Sequence, residues 1–193
     1  MKRNHRTSEP GRIEALARQA TDYALHMMRT AGSVPPTVIA DTEDGYVFCM
    51  PTALTDEATK DHFAEVARVF AVAHSARALV LIAEAWATLP DASGHLDTET
   101  PPSMAPNRQE IVALMLEDGS QNATSLVPIV RGRDGTFMEL GTSAPITFGQ
   151  STGRFAGLMP QQKPSNREVA QARLALAALG LNIVNCGFDP TLN

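Results

Sequence analysis

The chain has 193 residues, of which 44% are hydrophobic and 5% aromatic, and its formal net charge is −5 at pH 7. A chain of this length corresponds to one domain and can bury a core without metals or disulfides. The chain is mildly acidic, and the basic residues that could contact nucleic acid are Lys2, Arg3 and Arg6 in its tail. This argues against a protein that binds the phosphate backbone of nucleic acids.

The sequence shows no targeting signal. Residues 1–10 are polar, and no apolar stretch follows them as a secretory signal requires. No run of about 18 apolar residues predicts a membrane span. Cys49 and Cys186 lie far apart and form no C-x-x-C motif, so neither a disulfide framework nor a zinc site is expected. We therefore expect a cytoplasmic protein with a flexible tail over 1–10 and a single domain over 11–193.

The first part of the chain predicts a helix, a hairpin and a second helix. Apolar residues recur at helical spacing from Arg12, and Gly32 ends that helix. Two β-prone runs flank Asp44-Gly45, which predicts a hairpin with a type I′ turn because Asp-Gly adopts positive φ readily. Thr55 is the predicted N-cap of the second helix, which extends to about Ser75.

The middle of the chain predicts strands around a long loop. Residues 78–88 (ALVLIAEAWAT) are almost continuously apolar, which is typical of a central strand. Residues 89–108 contain four prolines and no periodicity, so we expect a functional loop, a lid or a disordered insertion there. Further strands are predicted at 110–117, 123–130 and 136–140.

The last part predicts little regular structure before a third helix. Pro128 has no N–H to donate, which places its strand at a sheet edge or a bulge. A short strand is predicted at 145–148 and another within 182–189. Ser165 and Glu168 form a capping box that begins the third helix. The inward residues of this helix are predicted to be Val169, Ala172, Leu176 and Leu179.

The predicted element order is α-β-β-α-β-β-β-β-α. It indicates an α+β domain with a mixed, mainly antiparallel sheet of about five to six strands and three helices that cover at least one face. Only the strand–helix–strand step through 56–76 is suited to joining parallel strands. In element order the chain resembles a roadblock- or profilin-type sandwich, a resemblance that includes no matched motif and implies no activity.

The familiar catalytic motifs fail their structural tests. Residues 149–153 match G-x-S-x-G, but the Gly- and Pro-rich segment that follows does not suit the helix that this motif needs, and no histidine follows Ser151. Gly149, Gly153 and Gly157 lack the Lys-Ser or Lys-Thr of a phosphate loop and are assigned to a mobile surface loop. No two histidines lie at i+3 or i+4, so we expect no metal and no cofactor.

Several carboxylate residues suggest an enzyme as the alternative function. Asp41 and Glu43 are spaced to share one face of a strand, which suits a hard cation or acid–base chemistry, although solvation of the adjacent turn explains the same residues. Glu84 interrupts an apolar strand, and a buried charge needs a partner. The alternative function is therefore an enzyme of unrecognised type that uses Glu84 or the Asp41/Glu43 pair.

The candidate binding site consists of Glu84, Trp86, Arg108 and Glu110. If strands 78–88 and 110–117 are antiparallel neighbours, the last three of these residues meet beneath the 89–108 loop in either register. Tryptophan and arginine often anchor binding, although an exposed strand end with Trp86 covering the core is the simpler interpretation.

These observations favour a non-enzymatic module that binds a protein or a small molecule. No nucleic-acid or membrane partner is expected. A homodimer that forms through an uncovered sheet edge or the first helix remains open, because strand edges invite pairing.

Overall fold

The computed structural model describes residues 11–51, 54–90, 93–149, 153–179 and the backbone of 183–184. The elements in this part of the chain are α1 (Arg12–Ala31), β1 (Thr37–Thr42), β2 (Gly45–Cys49), α2 (Glu57–Ala73), β3 (Ala78–Thr88), β4 (Arg108–Glu117), β5 (Asn122–Arg131), β6 (Phe137–Leu140), β7 (Thr147–Phe148), α3 (Asn166–Ala178) and β8 (Ile183–Val184). The predicted α+β class and the three helices are confirmed. The predicted tail, Cys186 and Ser151 lie outside the described residues.

One antiparallel sheet organises the described part of the chain. Its strands lie in the order β6-β5-β4-β3-β1-β2-β8, and β7 pairs with β5 beside this path. The strands outnumber the expected five to six because β7 and β8, of two residues each, add to the sheet. Both lie within the short strands predicted at 145–148 and 182–189, which the expected count did not include.

The helix α2 connects two strands that are not neighbours. Both β2 and β3 pair antiparallel with β1, so they run in the same direction on either side of it. The step through 56–76 is therefore a crossover over β1. It creates no parallel pair among the described strands.

Helices cover both faces of the sheet. Because side chains alternate along a strand, Val80 and Ile82 of β3 pack on the α1 side, whereas Leu79 and Leu81 pack on the α2 side. We call these the α1 face and the α2 face. The largest fully buried residues of the helices are Ile13, Leu16 and Met28 in α1 and Phe63 and Phe70 in α2.

Local hydrogen bonds fix where two helices begin. Asp56, and not the predicted Thr55, caps α2: its carboxylate accepts from Thr59 N at 2.7 Å, and Thr59 Oγ1 accepts from Asp56 N at 3.1 Å. The predicted capping box of Ser165 and Glu168 begins α3 and is confirmed. Both boxes satisfy backbone donors that have no partner within the helix.

The hairpin between β1 and β2 forms as predicted but with another turn. Thr42 pairs with Gly45, so the two turn residues are Glu43 and Asp44, and neither has positive φ. Gly45 carries the positive φ, +114°, at the first position of β2. The predicted type I′ turn, with Asp44 and Gly45 at its centre, is therefore wrong by one residue.

Pro128 lies in β5, whose outer edge is covered. The segment after β6 runs along this edge, and Gly141 N donates to the carbonyl of Pro128 at 2.8 Å. Because N–H and C=O of one strand residue point to the same side, the missing donor faces this segment rather than β4. The ladder with β4 is therefore intact through Ile111 and Pro128, and the irregularity in β5 comes later, between Val130 and Arg131.

The helix α3 is shallowly packed. Leu176 is buried, and Val169 and Ala172 are partly buried as predicted, but Leu179 is 43% exposed. Leu174 is 73% exposed. The predicted inward position of Leu179 is therefore wrong, because it lies at the C-cap, beyond the last helical residue.

Candidate functional site

The register of β3 and β4 brings the four candidate residues together. Trp86 pairs with Glu110, Glu84 with Val112, and Thr88 with Arg108. Since paired residues and every second residue along a strand share a face, Glu84, Trp86, Arg108 and Glu110 all lie on the α1 face. This cluster lies where the β3–β4 ladder extends past the end of α1.

The side chains of Trp86 and Arg108 are in direct contact. The Arg108 guanidinium lies 4.8 Å from the centroid of the Trp86 ring, and Arg108 Nη1 donates to the carbonyl of Ser103 in the 89–108 loop. This is the distance range of a cation–π interaction. Trp86 is nevertheless 43% exposed. It is therefore held in place by Arg108 without serving as a buried core residue.

Glu110 has a partner that the sequence did not point to. Arg131 of β5 donates to both carboxylate oxygens of Glu110, from Nε and from Nη2, at 2.7 Å each. These hydrogen bonds lower the pKa of Glu110, although burial opposes the shift. Side-chain alternation along β5 puts Arg131 on the same face as Val127, but sequence alone did not reveal which strand lies beside β4.

Glu84 binds the backbone of the segment that connects α1 and β1. Its carboxylate accepts a hydrogen bond from Val34 N at 2.5 Å. The expected partner of this charge is thus a backbone N–H group. The carboxylate stabilises the turn out of α1, and this engagement weakens the alternative in which Glu84 acts in catalysis.

The outer edge of β3 is open beyond Ile82. Thr37 is the first residue of β1 to pair with β3, opposite Ile82. Continuing this register places Pro35 opposite Glu84, but Pro35 has no N–H, and its carbonyl accepts from Thr37 Oγ1 at 2.8 Å. The ladder with β1 therefore stops, and residues 83–88 pair with β4 alone among the described strands.

One hydrogen bond shows in which direction the backbone groups of this strand point. Leu89 N donates to the carbonyl of Asn107, so the backbone of residue 89 points toward β4. Because the direction alternates along a strand, the N–H and C=O groups of Glu84, Trp86 and Thr88 point to the open edge. The exposed tryptophan therefore lies on the same strand segment as the unpaired backbone.

The 89–108 loop is closed at its base and folded locally. Leu89 and Asn107 exchange hydrogen bonds, since Asn107 Nδ2 also donates to the carbonyl of Leu89. A turn between Pro101 and Ala105 buries Ala105. Leu96 and Met104 are 46% and 73% exposed. The described part of the loop is therefore ordered by turns, while Leu96 and Met104 stay exposed.

The alternative carboxylate pair does not form one site. Asp41 accepts ion pairs from Arg77 at 2.9 Å and from Arg12 at 3.5 Å. Glu43 lies in the turn beyond the last residue of β1 and is exposed. The expectation that both residues share a strand face is wrong because the strand ends between them, at Thr42.

A carboxylate whose burial the sequence did not predict lies at the other end of β4. Glu117 is 4% exposed and accepts hydrogen bonds from Gly157 N at 2.8 Å and Met159 N at 3.0 Å. Arg68 of α2 donates to the carbonyls of Arg154 and Ala156 in the same segment. The segment predicted to be a mobile loop is therefore anchored from two sides.

The remaining tests for a site concern metals, membranes and known proteins. The described residues include no group of three or more His, Cys, Asp or Glu side chains that could hold a metal ion. Within the same part of the chain, none of the helices has the length and apolarity needed to span a membrane. No known family model matches the chain, and neither a curated protein nor a solved structure shows a significant match.

Proposed function

We propose that this chain is a non-catalytic binding module that pairs the open edge of β3 with an extended segment of a partner protein. The observation that carries the proposal is the stretch 83–88, which among the described strands pairs with β4 alone, while Trp86 lies exposed on it. Strand addition to a free edge is a common mode of peptide recognition, in which backbone hydrogen bonds supply affinity and side-chain contacts supply selectivity.

The side chains around the edge define the partner's chemistry. Trp86 offers an apolar ring beside the backbone groups, and the Arg108 guanidinium above it forms no ion pair within the described part of the chain. An apolar side chain on the incoming strand would pack against the ring, and a carboxylate next to it would meet Arg108. The partner segment is therefore extended, apolar at one position and acidic beside it.

The size of the edge favours a segment over a second folded copy. Six strand residues extend over about 20 Å. Stable interfaces between folded proteins use about 20–30 residues a side. An edge of this length, with one exposed tryptophan, matches a short peptide better than it matches a homodimer.

Glu84 and the loop define the limits of the edge. Glu84 holds Val34 at one end through its carboxylate. At the other end, Leu89 and Asn107 close the base of the loop. Between these points Trp86 and Thr88 present their backbone groups, so the incoming strand has a defined length.

The test uses a displayed library of linear peptides and the single tryptophan of the chain. Peptides selected on the full chain are titrated while Trp86 fluorescence is recorded, so any change in emission reports on this site. We expect saturable binding that Trp86→Ala and Thr88→Pro weaken at least tenfold, with every variant compared by the fluorescence anisotropy of a dye-labelled peptide because Trp86→Ala removes the intrinsic signal. Thr88→Pro removes an N–H from the open edge and leaves the ladder with β4 in place.

Phe148→Ala is the matched control, because Phe148 is a 48% exposed aromatic residue on β7. Peptides that bind the Trp86 and Thr88 variants as tightly as the unchanged protein contradict the proposal. A dimer in sedimentation that Thr88→Pro dissociates assigns the edge to a second copy and also contradicts it. Circular dichroism of each variant establishes that the fold is retained.

A further inference from the structure

Three adjoining clefts lie at the end of the sheet opposite Trp86. The first, of about 490 Å³, lies between the β4–β5 turn and segment 157–161. The second, of about 410 Å³, extends from the same turn to the end of α2, and the third, of about 670 Å³, extends to the start of α3. Gly119 and Ser120 line the first two clefts, and Ser75 and Lys163 line the last two. Together they form one groove.

Positive charge lines this groove, although the whole chain has a net charge of −5. Arg12, Arg77 and Lys163 line the second cleft, and Arg173 joins Lys163 in the third. Glu117 in the first cleft and Asp118 in the second are the acidic lining residues, so basic side chains are in excess. An excess of one charge sign in a cleft concentrates ligands of the opposite sign. The groove therefore favours an anion on a protein that is acidic overall.

The acidic side chain in the second cleft, Asp118, already accepts several hydrogen bonds. The Asp118 carboxylate accepts hydrogen bonds from Ser120 N at 3.0 Å, Ser120 Oγ at 2.7 Å and Gln121 N at 3.1 Å. These bonds shape the β4–β5 turn. Asp118 is therefore engaged with its own turn and is not paired with the cations across the cleft.

Lys163 has no ion-pair partner in the part of the chain that the structure describes. Arg12 and Arg77 share the Asp41 carboxylate, but their side chains stay 50% and 46% exposed. Lys163 is exposed and forms no ion pair within the described residues. An anion that enters the groove can bind Lys163 without breaking an existing ion pair.

Ser75 occupies a position in this groove where glycine is the usual residue. It follows the end of α2 with φ +50°, the only non-glycine residue with positive φ in the described part of the chain. After α1, the residue with positive φ is a glycine, Gly32, with φ +74°. A serine in this conformation is strained relative to glycine. Ser75 therefore lies, at a cost in stability, where the second and third clefts meet.

We propose that this groove binds a small molecule that carries phosphate or carboxylate groups. Lys163 supplies the free positive charge, Arg77 and Arg12 supply guanidinium donors that match oxyanions, and Ser75 supplies a hydroxyl. The cleft volumes lie in the range of sites for small organic ligands. The ligand is therefore larger than a single phosphate ion.

The experiment titrates the ¹⁵N-labelled full chain with pyrophosphate and with citrate at constant ionic strength. We expect saturable shifts of the amide signals of Ser75, Gly119 and Lys163. Lys163→Gln should weaken binding at least tenfold. Arg133→Gln, which removes one positive charge from an exposed turn outside the groove, should leave the affinity unchanged.

Tighter binding of pyrophosphate assigns the ligand to phosphate compounds, and tighter binding of citrate assigns it to carboxylates. The absence of saturable shifts with both probes overturns the proposal. So does equal weakening by Lys163→Gln and Arg133→Gln, which indicates attraction to overall charge. Because Ser75→Gly keeps the groove and removes the hydroxyl, unchanged affinity in both Ser75→Gly and Lys163→Gln also overturns it.

Discussion

Arg131 and Glu110 form a bidentate ion pair just beyond the point where the backbone ladder between their strands ends. The last paired residues of β4 and β5 on this side are Ile111 and Pro128. The ion pair, with two hydrogen bonds of 2.7 Å, continues the contact between the strands. It therefore holds β4 in the position that places Arg108 over Trp86.

Glu110→Gln should destabilise the protein by about 1 kcal/mol at pH 7, because a bidentate, partly buried pair contributes more than an exposed one. The pKa of Glu110 is lowered in the folded state. Its contribution is therefore complete above the unfolded pKa of about 4.3 and is lost as the pH falls through the folded value. Urea unfolding at pH 7 and pH 3 measures this difference.

The control for this change is Glu139→Gln on β6, where the carboxylate is exposed. It should shift the unfolding midpoint by much less. If Glu110→Gln and Glu139→Gln lose equal stability at pH 7, the ion pair does not hold the strands. If the loss in Glu110→Gln persists undiminished at pH 3, its cause is not the charge.

Limited proteolysis should cut the native chain first between Pro90 and Asn107. The described residues of this loop are held by turns, but Leu96 and Met104 are exposed. A peptide that pairs with β3 should slow this cleavage, because it covers the strand at which the loop begins. Mass spectrometry of the early fragments identifies the site. First cleavage in 153–164, the other long irregular segment, would contradict this order of stability.

Much of the fold could be predicted because its signals are local. The strand β3 was predicted with its observed bounds, 78–88, since its residues are almost all apolar. The capping box of Ser165 was predicted from two residues three positions apart. The proximity of Trp86 and Glu110 followed from an antiparallel neighbour across a loop, whereas their exact pairing depends on a register that the sequence left open.

The other features depend on contacts between distant segments. Arg131 reaches Glu110 from a strand whose neighbour could not be identified by periodicity. Glu117 looked like a solvated turn residue because the segment that covers it, with Gly157 and Met159, follows forty residues later. The open edge of β3 depends on Pro35, which is informative only when the register with β1 is known.

Glu117→Gln should destabilise the protein by about 2 kcal/mol, because a buried acceptor of two N–H groups is replaced by an amide that accepts through one atom. Gly157 and Met159 should then exchange their amide hydrogens faster, while amides in α1 keep their protection relative to global unfolding. Glu139→Gln again serves as the exposed control. Unchanged exchange at Gly157 and Met159 would show that the contacts of Arg68 and Arg154 with α2 and this segment are enough to anchor it.

Ser75→Gly should stabilise the protein by about 1 kcal/mol. Ser75 has φ +50° at the end of α2, where Ala76 N donates to the carbonyl of Ala71 at 2.9 Å, a hydrogen bond typical of a helix that ends in a left-handed residue. A side chain in this conformation is strained, and glycine removes the strain but gains freedom in the unfolded chain, so the net effect is modest. Thermal and urea unfolding measure it.

The matched control is Ser33→Gly, since Ser33 is exposed and has no positive φ. At position 33 a glycine relieves no strain and only increases the conformational freedom of the unfolded chain. Ser33→Gly should therefore be neutral or slightly destabilising. Opposite signs for the two substitutions support strain at Ser75. Destabilisation by Ser75→Gly would show instead that the serine side chain contributes to the fold, and the argument for a hydroxyl kept for a ligand would lose its basis.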